Sequence, residues 1–388
     1  MKTLRRRTIV LIIVSLLVLG LLIISRNEQL RLLASSPFRS FRTNPDAAYL
    51  EPTPTGKVFP TSLPTQKISS SIPSEVHILN NTLEIEKLFS PDLDGTQMVA
   101  QAKVANGLGI VQIDLDTGKV DLLSTPQELL GTPPKISGHK VVWSEPVNLA
   151  QSQYQLYVYD LSSNQLTQPY VLDYYHHLDF TDDIAVWEGT VGQTSGIYGY
   201  NVTTNQAITI AQTLVGYPRI AYPWTIYLDY NAGTLGERRQ DQAAKLWACN
   251  LETQERFEVG TTFNPDDATA GSYHALDTHW VAWFGTDSNA DSNVASYQPY
   301  VYDLSTHSLY TPTLPIQWPP RVLLSNNVAV FGNVGLDLAT YEAFNVISIP
   351  EIADMTGIPL LLSEENLVWL WDDGETMQKI YHSRITRR

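Results

Sequence analysis

The chain has 388 residues, 43% of them hydrophobic and 17% charged, with 9 Trp and 20 Tyr. This composition favours a globular, strand-rich protein over a disordered one, and the length allows one large β domain or two ordinary domains. The formal net charge of −15 argues against a nucleic-acid partner, because proteins that bind DNA or RNA carry basic patches. The single cysteine, Cys249, excludes an intrachain disulfide and is interpreted as a small core residue.

The N-terminal segment is typical of a membrane signal. Residues 1–7 form a short basic segment, which we place in the cytoplasm, and an apolar run follows at 8–25. The run is near the lower limit for crossing a bilayer, and no small-residue cleavage site follows it closely. This favours an uncleaved transmembrane signal anchor over a cleaved signal peptide. The basic cluster then predicts a single-pass protein of the cell membrane, with the rest of the chain on the extracytoplasmic side.

Residues 26–75 are predicted to form a linker. Seven prolines lie between positions 37 and 73, mixed with Ser and Thr. Proline removes backbone donors and favours extended conformations, so this stretch is expected to be a semi-stiff stalk without a core.

Residues 76–388 contain repeated pairs of strands. The first strand of each pair is apolar and ends at an equivalent, mostly aromatic position: Ala100, Trp143, Trp187, Tyr227, Trp283, Val330 and Trp369. The second strand ends in an acid or amide before a turn: Asp114, Asp160, Asn201, Asn250, Asp303 and Asp337. We interpret the first set as packing between sheets and the second as side chains that stabilise turns.

This repetition predicts an all-β fold, a β-propeller. A small antiparallel sheet that is apolar on both faces must lie between two other sheets, and radial repetition achieves this. Seven blades of four antiparallel strands fit the repeat best, with six or eight as alternatives. To close the ring, we expect the strand TLEIEKL at 82–88 to pair with Gln378–Ile385.

The sequence FSPDLDGTQMVAQAKV, from Phe89, resembles the propeller repeat of the TolB-type (WD-like) family. Phe89, Ser90, Pro91, Asp92 and Gly95 match the first half of its signature. The second half is matched by Asp114, Leu115, Asp116, Thr117 and Gly118. The resemblance implies a propeller over Phe89–Arg388 and extracytoplasmic binding of a protein or ligand, and it carries no catalytic residues across.

A polar segment in the fifth repeat is a candidate calcium loop, the only cofactor site that the sequence suggests. Asp287, Asn289, Asp291 and Asn293 alternate as oxygen donors, like the start of a calcium-binding loop. The segment lacks the glycine and the final glutamate of such loops. A turn-rich polar loop without a metal is the alternative interpretation.

A second candidate segment runs from Asp173 to Asp183. Its residues Tyr174, Tyr175, His176 and His177 are predicted to lie in a loop that lines a binding face. Adjacent histidines point to opposite sides of a strand, which argues against a shared metal. A solvated aromatic loop is the alternative. His274 and His279 have no carboxylate partner at a recognisable spacing.

The repeats lack the sequence motifs of common catalytic sites. No Gly-x-Ser-x-Gly nucleophile elbow and no Gly-rich phosphate loop occur in the sequence. The first hypothesis is therefore a non-catalytic binding or scaffold module for an unidentified protein or glycan ligand. The alternative is a carbohydrate-active or other hydrolytic enzyme with an acidic site at the propeller axis, where ionisable side chains with shifted pKa values would gather. Paired carboxylates are available for it at Asp182–Asp183, Asp266–Asp267 and Asp372–Asp373.

Overall fold

The computed structural model describes residues 39–40, 68–71, 74–77, 83–126, 132–148, 152–192, 194–213, 215–230, 244–262, 273–286, 297–314, 321–346, 361–371 and 379–387. Contacts divide the chain into two units, Met1–Arg39 and Ser40–Arg388, and the sheets of the fold belong to the second. Among the described residues, no helix has the length and apolar character needed to cross a membrane. The predicted anchor at 8–25 and most of the predicted linker at 26–75 lie outside the described residues.

Every regular element in the described part of the chain is a β-strand, which confirms the all-β prediction. Three short strands come first: β1 (Arg39–Ser40), β2 (Ile68–Ser70) and β3 (Ser74–Glu75). Sheet 1 follows with β4 (Lys87–Asp94), β5 (Gln97–Val104), β6 (Gly107–Asp114) and β7 (Val120–Ser124).

Sheets 2 and 3 share one long strand. Their strands are β8 (Lys135–Ser137), β9 (Lys140–Asn148), β10 (Gln153–Asp160), β11 (Gln165–Thr181), β12 (Ile184–Val191), β13 (Thr194–Asn201) and β14 (Gln206–Ala211). The first half of β11 pairs with β10 and the second half with β12, with Asp173 paired on both sides. One strand is thus the outer strand of sheet 2 and the inner strand of sheet 3.

The remaining sheets follow the same order along the chain. Sheet 4 contains β15 (Val215–Ala221), β16 (Trp224–Asp229), β17 (Ala244–Asn250) and β18 (Arg256–Thr262). Sheet 5 contains β19 (His274–Leu276), β20 (Trp280–Thr286), β21 (Tyr297–Asp303) and β22 (Ser308–Tyr310). Sheet 6 contains β23 (Val322–Ser325), β24 (Val328–Phe331), β25 (Val334–Asp337) and β26 (Ala343–Asn345). Sheet 7 contains β27 (Leu361–Ser363), β28 (Asn366–Trp371) and β29 (Lys379–Arg387).

The sheets are arranged in a closed ring. The first strand of each sheet, here called its inner strand, contacts the inner strand of the next sheet. The inner strand of sheet 7, β27, contacts the inner strand of sheet 1, β4. Antiparallel sheets that follow one another around a shared centre in this way form a β-propeller, as the repeats predicted.

The last sheet is completed from the other end of the second unit. Both β2 and β3 pair antiparallel with β29, as the outer edge of sheet 7. The prediction that TLEIEKL would make this pairing is wrong, because Lys87 and Leu88 instead begin β4. The two pairing strands lie inside the segment predicted to be a linker, at 26–75, so strand pairing in the described part of the chain occurs before residue 76. The prediction that a strand from the N-terminal side closes the ring is correct, but β2 and β3 form this closure rather than TLEIEKL.

The core consists of the interfaces between neighbouring sheets. Trp143 packs with Val99 and Ile110 of sheet 1, and Trp283 packs with residues of sheet 4. Both indoles are almost fully buried, and so is Trp369 between sheets 6 and 7. The predicted role of the recurrent aromatic residues in packing between sheets is confirmed. Cys249 lies in such an interface, where burial raises the pKa of its thiol to about 11. A thiol in that state is an apolar core group, as expected.

The acid or amide before each turn has the predicted role. Asp160 Oδ1 accepts hydrogen bonds from the backbone N–H groups of Ser162 and Ser163. The same side-chain-to-backbone pattern recurs at Asp114, Asn201, Asn250, Asp303 and Asp337. These residues are therefore turn formers rather than ligands.

Candidate functional site

The inner strands bring equivalent side chains together at the centre of the ring. In each inner strand, one residue lies two positions before the last residue that pairs with the second strand of the sheet. All of these residues line one cavity of about 500 Å³, which we call the axial cavity. We call the set the axial ring: Asp92, Lys135, Asp179, Arg219, His274, Leu323 and Leu361.

Three inner strands carry the same backbone irregularity just before their axial-ring residue. Ser90, His177 and Tyr217 have positive φ angles of 45°, 49° and 53°. A register shift in the pairing of β4, β11 and β15 occurs at the same places. Bulges of this kind re-aim the side chains that follow them, and a left-handed conformation in a non-glycine residue has an energetic cost. The bulges precede the three charged residues Asp92, Asp179 and Arg219.

An ion triad joins sheets 1, 2 and 3. Lys135 Nζ lies 3.0 Å from Asp92 Oδ1 and 3.6 Å from Asp179 Oδ1. Burial acts to lower the pKa of Lys135, but attraction to Asp92 and Asp179 outweighs it and raises the pKa, so the ammonium group stays charged. Burial raises the pKa of Asp92, and the nearby Lys135 acts in the opposite direction.

The two carboxylates also connect neighbouring sheets through the backbone. Asp92 Oδ2 accepts a hydrogen bond of 2.9 Å from the N–H of Ile136 in sheet 2. Asp179 Oδ2 accepts one of 2.9 Å from the N–H of Ile220 in sheet 4. Each carboxylate therefore has a structural partner on one oxygen and Lys135 on the other.

Two guanidinium groups line the cavity next to the triad. Arg219 belongs to the axial ring, and Arg321 precedes β23, two residues before Leu323. Burial lowers the pKa of Arg321, and repulsion from Arg219 lowers it further. Among the described residues, no carboxylate oxygen lies within 4 Å of the Arg321 guanidinium. Two like charges thus share one partly enclosed space.

His274 is the neutral polar member of the ring. Its side chain is 1% exposed, and its Nε2 lies 2.9 Å from the carbonyl oxygen of Tyr217. Burial and the charge of Arg219 lower the pKa of His274 to about 3, so the imidazole is neutral at physiological pH. Because Nε2 must then donate to the carbonyl, Nδ1 is an acceptor, and it has no hydrogen-bond partner.

The opposite side of the cavity is apolar. Leu323 and Leu361 occupy the ring positions of sheets 6 and 7, and Leu276 and Leu362 also line the wall. The axial ring therefore has a charged side, from sheets 1 to 4, and an aliphatic side, from sheets 6 and 7, and Arg321 lies beside the aliphatic side, two residues before Leu323. Small-molecule sites commonly combine a few oriented polar groups with an apolar wall in a cavity of this size.

The structure places the predicted binding-face residues in a strand rather than in a loop. Tyr174, Tyr175, His176 and His177 all belong to β11. His176 and His177 are exposed, and the His177 ring lies 4.0 Å from the ring of Tyr217. Since the carbonyl of Tyr217 binds His274, this segment borders the axial ring at one point.

Most of the other predicted site residues are not tested by the described part of the chain. The candidate calcium loop with Asp287, Asn289, Asp291 and Asn293 lies outside the described residues, as do Asp266–Asp267 and Asp372–Asp373. Asp183 binds Lys140, away from the cavity. Within the described part of the chain, no group of three or more metal-ligating side chains is present.

Sequence reasoning missed most of the axial ring. Asp92 was recognised only as part of a repeat signature, and Lys135, Asp179, Arg219 and Arg321 were not singled out. A signal does exist, because an ionisable residue stands two positions before the end of the inner strand in five successive repeats: Asp92, Lys135, Asp179, Arg219 and His274. The signal becomes visible only after the hairpins have been aligned.

Comparisons with known proteins identify the fold alone. No protein-family model matches the chain. No curated protein matches its sequence. Among solved structures, the β-propeller domain of the Trilobed protease from Pyrococcus furiosus is similar, with 11% identity and a TM-score of 0.53. The match covers 79% of this chain and 96% of that one.

Two further solved structures also align with the chain. An oligogalacturonate lyase in complex with manganese has 11% identity and a TM-score of 0.52, over 78% of this chain and 90% of that one. TolB from Acinetobacter baumannii aligns with 10% identity and a TM-score of 0.38, over 72% of this chain and 62% of that one. The β-propeller fold that the TolB-type resemblance implied is confirmed by the ring of sheets and by the first two of these solved structures, which show the fold alone.

Proposed function

We propose that the protein is a membrane-anchored, extracytoplasmic, seven-bladed β-propeller that binds a small ligand or the end of a glycan in its axial cavity without transforming it. The observation that carries the proposal is the axial ring. Each of the seven inner strands contributes its axial-ring residue to a single cavity of about 500 Å³, and the ring has charged groups on one side and leucines on the other. Membrane anchoring rests on the apolar run at 8–25 and the basic residues before it.

Binding is favoured over catalysis by the state of the two carboxylates. A general acid or base must have an oxygen directed at the substrate. Asp92 and Asp179 each have one oxygen bound to a backbone N–H and the other directed at Lys135. His274 is neutral, and its Nε2 is held by a backbone carbonyl. Asp92, Asp179 and His274 Nε2 therefore already have partners in neighbouring sheets.

The alternative is the hydrolytic or carbohydrate-active enzyme with an acidic axial site. It is favoured by the gathering of ionisable groups at the axis and by the raised pKa of Asp92, both of which that hypothesis requires. Among the described residues that line the cavity, the missing element is a carboxylate without a structural partner.

The test is a thermal-shift screen of the full chain against pools of small anionic, neutral and cationic metabolites and oligosaccharides. The variant Leu361→Trp places an indole in the axial cavity. The control Leu166→Trp makes the same change on the surface of β11, where the leucine is 43% exposed. At a concentration of 100 times Kd, a ligand should stabilise the protein by about 2.7 kcal/mol.

The expected result is a compound that stabilises the wild type and Leu166→Trp, does not stabilise Leu361→Trp, and is recovered unchanged after incubation. Conversion of the compound would establish the enzyme instead. A compound that stabilises Leu361→Trp as well as the wild type would place binding outside the axial cavity.

A further inference from the structure

We propose that the outer edge of β29 is a docking site for a second copy of this chain. Residues 68–76, which contain β2 and β3, are here called the closing segment. In the pair, the closing segment of each copy lies on β29 of the other copy. The inference is independent of the axial cavity. Three properties of sheet 7 carry it: the polar composition of β2 and β3, an apolar core that lies in the other strands, and a register set by side-chain contacts.

The strands that close sheet 7 consist mostly of polar residues. Apart from Ile68, β2 and β3 contain only three serines and Glu75. The outer strand of sheet 4, by contrast, buries the apolar side chains of Phe257 and Val259. Burial of apolar surface is the main force that holds a strand in its sheet, and a single hydrogen bond adds only a modest net stabilisation. We therefore expect the closing segment to leave sheet 7 more readily than β18 leaves sheet 4.

The apolar core of sheet 7 lies in its other strands. Trp369 and Ile385 pack against sheet 6, and Val368 and Ile380 pack against sheet 1. All four side chains belong to β28 or β29. Detachment of the closing segment leaves these contacts in place, so it is a local opening of the structure rather than global unfolding. Local openings cost less free energy than global unfolding, and they occur in the native state.

Detachment exposes an edge of β29 with unpaired backbone groups. The carbonyl oxygen of Ile380 loses its hydrogen bond with the N–H of Val76, and the carbonyl oxygen of Arg384 loses that with the N–H of Ser71. β29 has nine residues, and an exposed edge of this kind is a template for another extended segment, because backbone hydrogen bonds supply the affinity. The edge of β29 is therefore the docking surface.

Side-chain contacts select the closing segment of a second copy as the segment that docks. Ser71 Oγ lies 3.2 Å from Ser383 Oγ, which donates a hydrogen bond of 2.7 Å to the Ser71 carbonyl oxygen. Glu75 Oε2 lies 3.4 Å from Lys379 Nζ. A second copy has the same residues in the same register, so exchange restores every contact that detachment breaks. Residues 76–86, which join β3 to β4, act as the hinge. Exchange of an identical element is a low-cost route to a dimer.

Disulfide trapping in the full chain tests the exchange. One chain carries Ser71→Cys and a first affinity tag, and another carries Ser383→Cys and a second tag. The two proteins are mixed in detergent and oxidised with diamide, and the product with both tags is quantified. Ser383 is only 2% exposed, so Ser383→Cys reacts with the other chain where that chain's closing segment has replaced its own. The native Cys249 is buried and its pKa is raised to about 11, which keeps it unreactive.

Two control variants separate exchange from collision. Ser162→Cys lies in an exposed turn of sheet 2 and replaces Ser71→Cys in one mixture. A chain with both Ser71→Cys and Ser383→Cys, oxidised while dilute, keeps its own closing segment in place. We expect the Ser71→Cys mixture to give about tenfold or more doubly tagged product than the Ser162→Cys mixture, because docking holds the two thiols together. In light scattering, the unmodified protein should show a dimer fraction that rises with concentration, and the pre-oxidised chain should stay monomeric.

Equal amounts of doubly tagged product from the Ser71→Cys and Ser162→Cys mixtures would overturn the inference, since they indicate collision rather than docking. A monomer mass for the unmodified protein at every concentration, or a dimer of the pre-oxidised chain, would show that copies do not join by exchange. If the chain with both cysteines forms no disulfide of its own, the closing segment does not lie on β29 and the docking site is absent. Wild-type circular dichroism spectra of the variants exclude misfolding as the cause of any of these results.

Discussion

Ser363 Oγ, in the first hairpin of sheet 7, accepts a hydrogen bond of 2.8 Å from the backbone N–H of Gly95, in the first hairpin of sheet 1. Equivalent contacts join the first hairpins of sheets 1 and 2, 2 and 3, 5 and 6, and 6 and 7. The bond between Ser363 and Gly95 continues this series across the junction between sheet 7 and sheet 1, the last and the first sheet along the chain. It therefore closes the ring at the hairpin level, in addition to the strand pairing of β29.

Truncation should locate the strands that close sheet 7. We expect a chain that starts at Val76 to be less stable by several kcal/mol than one that starts at Ile68, since it lacks the pairing of β2 and β3 with β29 at about 1 kcal/mol per hydrogen bond. Urea unfolding of the two truncated proteins measures the difference. Equal midpoints would show that these strands contribute nothing to closure.

Acid should destabilise the protein through His274. Its pKa is about 3 in the folded state, against an ordinary value of 6.5, so below pH 6.5 the unfolded chain takes up a proton that the folded chain does not. Stability is therefore lost as pH falls from 6.5 towards 3, at up to about 1.4 kcal/mol per pH unit. His274→Gln can still donate to the Tyr217 carbonyl and does not titrate, so its stability should change less between pH 7 and 4.5.

The matched control for that experiment is His279→Gln, because His279 is exposed. It should retain the wild-type pH dependence in chemical denaturation. If His274→Gln shows the same slope as His279→Gln, the assignment of the acid sensitivity to His274 is wrong.

The turn aspartates should make the stability of the protein depend on pH in a more acidic range than His274 does. Burial acts to raise the pKa of Asp303, but hydrogen bonds from Ser305 and Thr306 outweigh it and hold the pKa below its usual value. The stabilisation is present above about pH 4 and is lost as pH falls through the folded pKa. Asp303→Asn should preserve the turn, as Asn201 and Asn250 do, and should remove this acid dependence. Asp303→Ala should cost about 1 kcal/mol at pH 7.

Thermal unfolding of both Asp303 variants at pH 7 and at pH 3 separates the stability that comes from the turn from the acid dependence of that stability. An Asp303→Asn protein that is as unstable as Asp303→Ala at neutral pH would contradict the role of Asp303 as a turn former.

One glycine should be essential for packing between sheets. A Cβ at Gly260, in sheet 4, would lie 2.6 Å from Cζ2 of Trp283, whose buried indole belongs to sheet 5. Gly260→Ala should therefore destabilise the protein by about 1–3 kcal/mol. At Gly109 the nearest atom, at 2.7 Å, is the end of Leu122, which is 39% exposed and can move. Gly109→Ala is the control, and comparable losses in both variants would refute the packing argument.

The sequence alone determines the propeller because its evidence is local and repeated. Each apolar strand and each Asp or Asn before a turn is encoded within a few residues, so Trp143 could be assigned to an interface and Asp160 to a turn before any contact was known. Alternation along a strand and turn chemistry act over short distances, and repetition adds the same signal several times.

The tertiary structure decided the closing strand and the axial ring. Both TLEIEKL and Ile68–Ser70 have sequences that suit a strand. Only the tertiary structure shows that the end of TLEIEKL belongs to β4 in sheet 1 and that Ile68–Ser70 pairs with β29. Asp92 and Arg321 are 229 positions apart, and they share a cavity only because seven inner strands converge. Linear spacing alone does not show this convergence, since each inner strand contributes a single residue to the axial ring and bulges orient three of these residues.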